Sequence, residues 1–383
     1  MPTSGRKIKV LITGGGTGGH IFPAIAVAQK LKQDSDIEKI FYIGCKKNME
    51  KNIVLEEKLD FYSINVSGMP RQKSLKLIKW FIELGFATIK SIYYISKLKP
   101  DVVFGTGGYV SGPVLLAAKI LNIPFVIHDP DAHPGIVNKF MSKWASAVSI
   151  SFEQAKSHLK SKNIILNGNP IRANFLHVNK ENALKELNLS PNKKTILVIG
   201  GSQGAQAINN ALLETVPDLI NMEFQIIHQT GNKNYDKYIE ELTKKHPELI
   251  NNPYYIVKPF FNNIEIPLNA ADLAVSRAGS LSISELNLCG LPSILVPYPY
   301  AAANHQKFNA KAMEEAGASI YLEDSQCNSS MLLELILNIF NNPEKIEQMQ
   351  LANKLLAKPQ ATEDIIRILK EVATCHSEPV KQA

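Results

Sequence analysis

A histidine directly after a glycine-rich loop is well placed to move a proton beside a phosphate. This sequence has one: Gly14-Gly15-Gly16-Thr17-Gly18-Gly19-His20 lies between an apolar β-type run at 9–13 and a helical pattern at 23–31. Glycines let the backbone approach a diphosphate closely, and the N-terminus of the next helix favours its charge. Gly14, Gly16 and Gly19 satisfy G-x-G-x-x-G. A dinucleotide site also needs an acidic residue ending the second strand, and Phe41-Tyr42-Ile43-Gly44 offers none. The loop therefore reads as a phosphate or diphosphate site, with a plain tight turn as the alternative. Imidazole titrates near neutral pH, which makes His20 the first choice for a general base. The competing reading of His20 is a structural residue that caps the loop.

Two further glycine loops follow apolar strands: Gly105-Thr106-Gly107-Gly108-Tyr109-Val110-Ser111-Gly112-Pro113 and Gly200-Gly201-Ser202-Gln203-Gly204-Ala205. Ser202 adds a hydroxyl at a helix start, where an ordinary N-cap is also expected. One loop of this kind is a turn; three, split across two halves of the chain, call for a cleft holding more than one phosphorylated ligand. The run Arg277-Ala278-Gly279-Ser280-Leu281-Ser282-Ile283-Ser284-Glu285 follows another strand and is expected to carry Ser280, Ser282 and Glu285 in the first turn of a helix. Free N–H groups there hold an anion or a sugar hydroxyl. A carboxylate such as Glu285 can accept from two vicinal hydroxyls; a capping-box glutamate is the bland alternative.

The elements that must position these residues alternate as strand and helix from end to end. Strands are expected at 9–13, 39–43, 101–104, 124–128 and 147–151, and again at 193–199, 224–228, 254–257, 273–276, 293–297 and 319–322. This is the βαβ rhythm of parallel sheets covered by helices on both faces. A chain of 383 residues accommodates about two domains. They are expected at 1–170 and 171–361, with a last helix at 362–373 packing back on the first. The four cysteines form no C-x-x-C pair, which excludes a zinc ribbon or disulfide framework and fits a reducing compartment. The apolar run after the basic N-terminus is too short for a signal peptide, and no stretch has the ~18 uncharged apolar residues of a membrane span. A cytoplasmic protein, soluble or peripheral, is expected. Residues 1–170 hold 23 Lys/Arg against 12 Asp/Glu, a charge of +11, while the remainder carries −4. A basic half needs an anionic neighbour: nucleic acid, anionic lipid or diphosphate. No nucleic-acid-binding motif is present, so nucleic acid is not an expected partner.

Taken together, Gly-Gly-Thr-Gly-Gly-His, Gly-Gly-Tyr-Val-Ser-Gly-Pro, Gly-Asn-Pro-Ile-Arg, Gly-Gly-Ser-Gln-Gly-Ala and Ser-Arg-Ala-Gly-Ser-Leu-Ser-Ile-Ser-Glu resemble the motifs of the MurG family in order and spacing, from about residue 9 to residue 372. The resemblance implies an α/β, GT-B architecture of two Rossmann-like domains with an interdomain cleft. It implies an inverting transferase that moves N-acetylglucosamine from UDP-N-acetylglucosamine to the 4-hydroxyl of the muramyl sugar of lipid I, forming lipid II with no cofactor and no metal. Donor contacts are implied for Thr17, Gly18, Gly19, Asp131, Arg172, Ser202, Phe261, Ser280, Leu281, Ser282, Glu285 and Gln306. Among these, Glu285 is implied on the uridine ribose, backbone groups near Phe261 on uracil, and Gln306 on the sugar. Gly15, Gly16, Gly107, Gly108 and Tyr109 are implied at the acceptor diphosphate. An anionic substrate near His20 favours the imidazolium, so the rate is expected to rise on the alkaline side of neutrality.

One departure stands out. Where the family reads His-Glu-Gln-Asn, this chain has His128-Asp129-Pro130-Asp131. Asp131 replaces an amide, and Pro130 restrains the loop. Asp129 thereby becomes a candidate to share the base role with His20. Asp129-Pro130-Asp131 also reads as D-x-D, a metal–diphosphate motif elsewhere, but helix dipoles and basic residues do that work in a GT-B enzyme and no metal is expected. The rivals are a diacylglycerol-type transferase, a UDP-N-acetylglucosamine 2-epimerase and an inactive homologue.

Residues 71–99 carry seven basic residues and one acid, Glu83. Leu75, Ile78, Ile82, Phe86 and Ile89 recur at helical spacing, with Trp80, Phe81, Tyr93 and Tyr94 among them. The stripe is either a buried face with a basic rim or an interfacial patch on anionic lipid. The resemblance favours the second, at the cytoplasmic face of the bacterial inner membrane.

Overall fold

The computed structural model describes residues 6–46, 50–70, 75–171, 178–201 and 204–377. The chain divides into two compact units, Met1–Ile171 with Lys358–Ala383, and Arg172–Ala357.

The first unit contains β1 (Ile8–Thr13), α1 (Gly18–Leu31), β2 (Ile37–Cys45), α2 (Glu50–Glu56), β3 (Asp60–Ile64), α3 (Leu75–Leu98), β4 (Val102–Gly105), α4 (Ser111–Ile120), β5 (Phe125–Asp129), α5 (Ile136–Met141), β6 (Ala147–Ile150) and β7 (Ile164–Leu166). The second contains α6 (Lys180–Glu186), β8 (Thr195–Ile199), α7 (Gln206–Asn221), β9 (Gln225–Gln229), α8 (Tyr235–Lys245), β10 (Tyr255–Lys258), α9 (Glu265–Ala270), β11 (Leu273–Ser276), α10 (Ser280–Cys289), β12 (Ser293–Leu295), α11 (His305–Glu315), β13 (Ser319–Tyr321), α12 (Ser329–Phe340) and α13 (Pro343–Leu356). The last helix, α14 (Ala361–Ser377), belongs to the first unit.

Both sheets are parallel, in the orders β3-β2-β1-β4-β5-β6-β7 and β10-β9-β8-β11-β12-β13. Strands covered on both faces must be apolar throughout. In β1, Val10 and Ile12 enter a core shared with α1 and α14, while Leu11 enters the opposite core beneath α3 and α4. From α14, Ile365, Ile366, Ile368, Leu369 and Ala373 are buried in the first of these cores. Each large aliphatic side chain so buried stabilises by roughly 1.5–3 kcal/mol. Lys370 adds ion pairs to Asp34 and Asp36 at the end of α1. The strand order reverses between β1 and β4 and between β8 and β11. Ligands of open α/β sheets bind beyond the carboxyl ends of strands at such a switch point.

Two edge strands, β3 and β7, lie outside the sequence expectation. Both are half-exposed for most of their length, and β7 has three residues, so neither presents a long apolar run.

The inner side of α3 is made of small and hydroxyl residues, Ala87, Thr88 and Ser91, with Ile95. Ile92, Tyr94 and Leu98 pack against the same core, whereas Ile78, Phe81, Ile82, Phe86, Ile89 and Tyr93 point the other way and are all at least half exposed. Lys76, Lys79 and Lys90 are exposed among them; Arg71 and Lys73 lie outside the described residues. The periodic stripe is thus a surface, not a core face. No helix among the described residues is long and apolar enough to cross a membrane.

Candidate functional site

At the first switch point the loops after β1 and β4 meet backbone to backbone. Gly108 has φ +77°, and a Cβ on it would stand 2.0 Å from the Gly15 carbonyl oxygen, so only glycine permits this approach. A Cβ on Gly14 would stand 1.9 Å from the Thr106 hydroxyl. The Tyr109 ring lies against Gly16, and Gly107 lies against the His20 ring. From behind, the Tyr42 hydroxyl donates to the Gly14 carbonyl (2.8 Å), and the fully buried Glu50 accepts from Cys45 N–H (3.0 Å) beside Gly15. Thr17 is the N-cap of α1 but makes no side-chain cap, which leaves the first-turn amides of Gly18 and Gly19 without an intrahelical acceptor. His20, half-buried, directs Nδ1 at the Thr106 carbonyl oxygen, 3.0 Å away. A carbonyl only accepts, so Nδ1 carries the proton and the neutral ring has its lone pair at Nε2.

Asp129 ends β5 and is 1% exposed. Its Oδ1 accepts from Asp131 N–H (3.1 Å), and its Oδ2 from Gly135 N–H (3.3 Å) and Asn138 Nδ2 (2.8 Å). Burial, with the Asp131 charge adding to it, pushes its carboxyl up to about 7. Its oxygens brace the 130–135 loop, an arrangement unlike that of a metal-bridging D-x-D pair. Asp131, half-buried, takes part through its backbone. His128, fully buried, contacts Ser149 Oγ and Asn169 Oδ1 (both 3.1 Å) and is held down to about 4, chiefly by burial.

A second buried histidine lies in the other unit. His228 on β9 contacts Asn209 Oδ1 (3.1 Å) and the Tyr255 hydroxyl (3.2 Å), and burial lowers it to about 3. Below about pH 6.5 the unfolded chain binds protons that both folded histidines refuse. Their contribution to stability is therefore complete above that pH and is lost as pH falls toward 4. Asp129 opposes them, since its folded form keeps a proton between about 4 and 7 that the unfolded form releases. Two histidines outweigh one aspartate, so denaturant unfolding is expected to lose stability from pH 6.5 to pH 4. His228→Gln should flatten that dependence by up to about 1.4 kcal/mol per pH unit. Identical slopes in variant and parent would remove His228 from the account.

At the second switch point the loop after β8 turns at Gly201 and Gly204 (φ +76° and +77°), with Gly204 against Thr230 and Asn234. Ser202 lies outside the described residues, as does Arg172. After β11, α10 begins at Ser280 with Gly279 as its N-cap and no side-chain cap. Ser280 is buried, and Leu281, Ser282 and Glu285 are half-buried. Glu285 stands in the second turn, not the first as expected, and too deep in the helix for a capping box. Arg277 Nη1 donates to the Val296 and Pro297 carbonyls (3.0 and 3.1 Å) and pairs with Asp324. Asn309 of α11 donates to the Ala278 carbonyl (3.2 Å), tying α11 to the α10 loop. Gln306 Oε1 accepts from Tyr298 N–H (2.9 Å), which leaves donation as the chemistry of its amide NH₂. Phe261 N–H donates to Gln229 Oε1 (2.8 Å), so its carbonyl is the backbone group that can read a base.

The sequence named most of these positions but missed Thr106, Asn138, Gln229 and Asn309, which hold them. Among the described residues no cluster of three or more His, Cys, Asp or Glu could hold a metal ion.

Residues 10–150 match the glycosyltransferase family 28 N-terminal domain and residues 195–365 its C-terminal domain. The UDP-N-acetylglucosamine–N-acetylmuramyl-(pentapeptide) pyrophosphoryl-undecaprenol N-acetylglucosamine transferase of Halothermothrix orenii is 39% identical over 370 residues, covering 96% of this chain and 99% of that one. The chain belongs to the MurG family. A crystal structure of Acinetobacter baumannii MurG superposes with a TM-score of 0.77 at 26% identity, over 95% of this chain and 99% of that one. The MurG family is of the GT-B class, and its members are UDP-N-acetylglucosamine-dependent glycosyltransferases. A UDP-GlcNAc 2-epimerase from Neisseria meningitidis shares only the fold, with a TM-score of 0.66 at 17% identity over 95% of this chain and all of that one.

Proposed function

We propose that the chain transfers N-acetylglucosamine from UDP-N-acetylglucosamine to the 4-hydroxyl of the muramyl sugar of an undecaprenyl diphosphate-linked acceptor, with inversion. The observation that carries this reading is the near full-length similarity to enzymes named for this transfer. Glycine loops at both switch points support it, since each reactant carries a diphosphate.

Donor binding falls to the second unit, with uracil at the Phe261 carbonyl and the ribose hydroxyls at Glu285. The diphosphate meets the first-turn amides of α10 at Ser280, Leu281 and Ser282, with Ser202 and Arg172 added by resemblance. Gln306 donates to a sugar hydroxyl; for Thr17, Gly18, Gly19 and Asp131 a donor contact rests on the resemblance alone. The acceptor diphosphate lies on Gly15, Gly16, Gly107, Gly108 and Tyr109. His20 Nε2 takes the acceptor proton as the oxygen attacks the anomeric carbon, and the bonding pair leaves with UDP. The shared base role expected of Asp129 gives way to a loop-bracing one, because its oxygens are already engaged inside the loop. The exposed stripe of α3 with Lys76, Lys79 and Lys90 docks on anionic lipid of the inner leaflet, at the cytoplasmic face where such an acceptor is anchored.

Incubation of labelled UDP-N-acetylglucosamine with a short-chain lipid I analogue is expected to give the labelled disaccharide. Glycosylated diacylglycerol instead, or an epimerised sugar nucleotide without acceptor, would overturn the reading. In the same assay Glu285→Ala should weaken UDP itself about 10–100-fold, the loss of hydrogen bonds to a charged group. Gln306→Ala should leave UDP binding intact and impair use of the sugar nucleotide.

A further inference from the structure

Thr106 meets His20 at two places. Its carbonyl oxygen accepts from His20 Nδ1 (3.0 Å), and its side-chain hydroxyl donates to the His20 backbone carbonyl (2.6 Å). Thr106 is itself fully buried and anchored, its N–H donating to the Thr13 carbonyl (2.9 Å) at the end of β1. The hydroxyl occupies the place where a Gly14 side chain would lie, and the His20 ring rests on Gly107, the residue after Thr106. Ring, backbone and loop are thus fixed to one residue.

We propose that Thr106 is a positioning residue for proton transfer, clamping His20 by ring and backbone so that the imidazole is held in one tautomer with Nε2 as the accepting atom. This rests on the reading of His20 as the base. A misplacement of about 1 Å in a reacting group costs on the order of 10²-fold in rate. The hydroxyl bond fixes the His20 backbone, and the carbonyl bond fixes the ring. Loss of the first frees the loops to slide and weakens the second. Gly14 acquires a specific reason to lack a side chain: it leaves room for this hydroxyl rather than for phosphate.

The test compares the parent with Thr106→Val, which keeps the shape and removes the hydroxyl, with Thr106→Ser, which restores it, and with His20→Ala. Thr106→Val is expected to lower kcat roughly 10–100-fold with KM for UDP-N-acetylglucosamine near that of the parent, and to lower the melting temperature, because the His20 carbonyl is left without this donor. Thr106→Ser should recover kcat to within a few-fold. In ¹⁵N-labelled protein the His20 ring should be the Nδ1–H tautomer in the parent and in Thr106→Ser, and a mixture of tautomers in Thr106→Val. Should Thr106→Val fail to fold, Thr106→Ala carries the same expectations. Parent-like kcat in the hydroxyl-free variant, or equal loss in Thr106→Ser, overturns the clamp. Parent-like turnover in His20→Ala overturns instead the assignment of the base, and the tautomer spectra then decide the clamp alone.

Discussion

Replacing His20 with alanine is expected to lower turnover by about 10²–10⁴-fold, the usual contribution of a positioned general base. UDP affinity should change little, because the nucleotide contacts proposed above are assigned to the second unit. The pH dependence of the parent cannot by itself name the base. Burial pushes Asp129 up to about 7, into the range where an imidazole also titrates. A carboxylate base at this position would therefore not betray itself by a rise at lower pH. The variants separate the two groups. His20→Ala should abolish the rise in rate near neutrality, and Asp129→Asn should lower activity while leaving the rise in place. The opposite pattern, full turnover without the histidine and none without the aspartate, would make His20 a structural residue of its loop.

Reversal of Lys76, Lys79 and Lys90 to glutamate should weaken binding to anionic liposomes by roughly 10²-fold or more. Each basic residue near such a surface contributes about 1 kcal/mol, so removing three costs about 3 kcal/mol before any repulsion from the new acids. Turnover of a short-chain acceptor free in solution should be nearly unchanged. The effect should shrink as salt rises, as charge attraction of this kind is screened within about 10 Å at 0.1 M. Liposome binding that survives the triple reversal would leave the apolar stripe without its assigned partner.

The strands that carry the site were readable because β1, β4 and β8 are largely apolar runs that break into glycine, and β11 is one that reaches Gly279 after Arg277 and Ala278, the pattern of a strand buried on both faces and opening at its carboxyl end. Glu285 came out one turn deeper than expected because Arg277, Ala278 and Gly279 form the loop and the helix begins only after them. Thr106, Gln229 and Asn309 were unread for a different reason. Their partners, His20, Phe261 and Ala278, are 86, 32 and 31 residues away, and only the order of strands in the sheets brings them together. The stripe on α3 was legible as a helix face, but periodicity alone does not say whether such a face looks inward. The small residues on its other side decide that.

The place of α14 in the first unit has a consequence for how the protein is made. Five of its side chains complete a core that also contains Val10, Ile12, Ala24 and Val27, yet they follow the whole of the second unit in the chain. During synthesis one face of the first sheet is laid down early and stays only partly covered, by α1 and α2, while roughly two hundred further residues are added, at about 5–20 residues per second. The second unit contains every segment of its own core and can close as soon as it emerges. Assembly is thus expected to run against the order of translation, with the first-made half sealed last and its open apolar face the nascent chain's principal liability to aggregation.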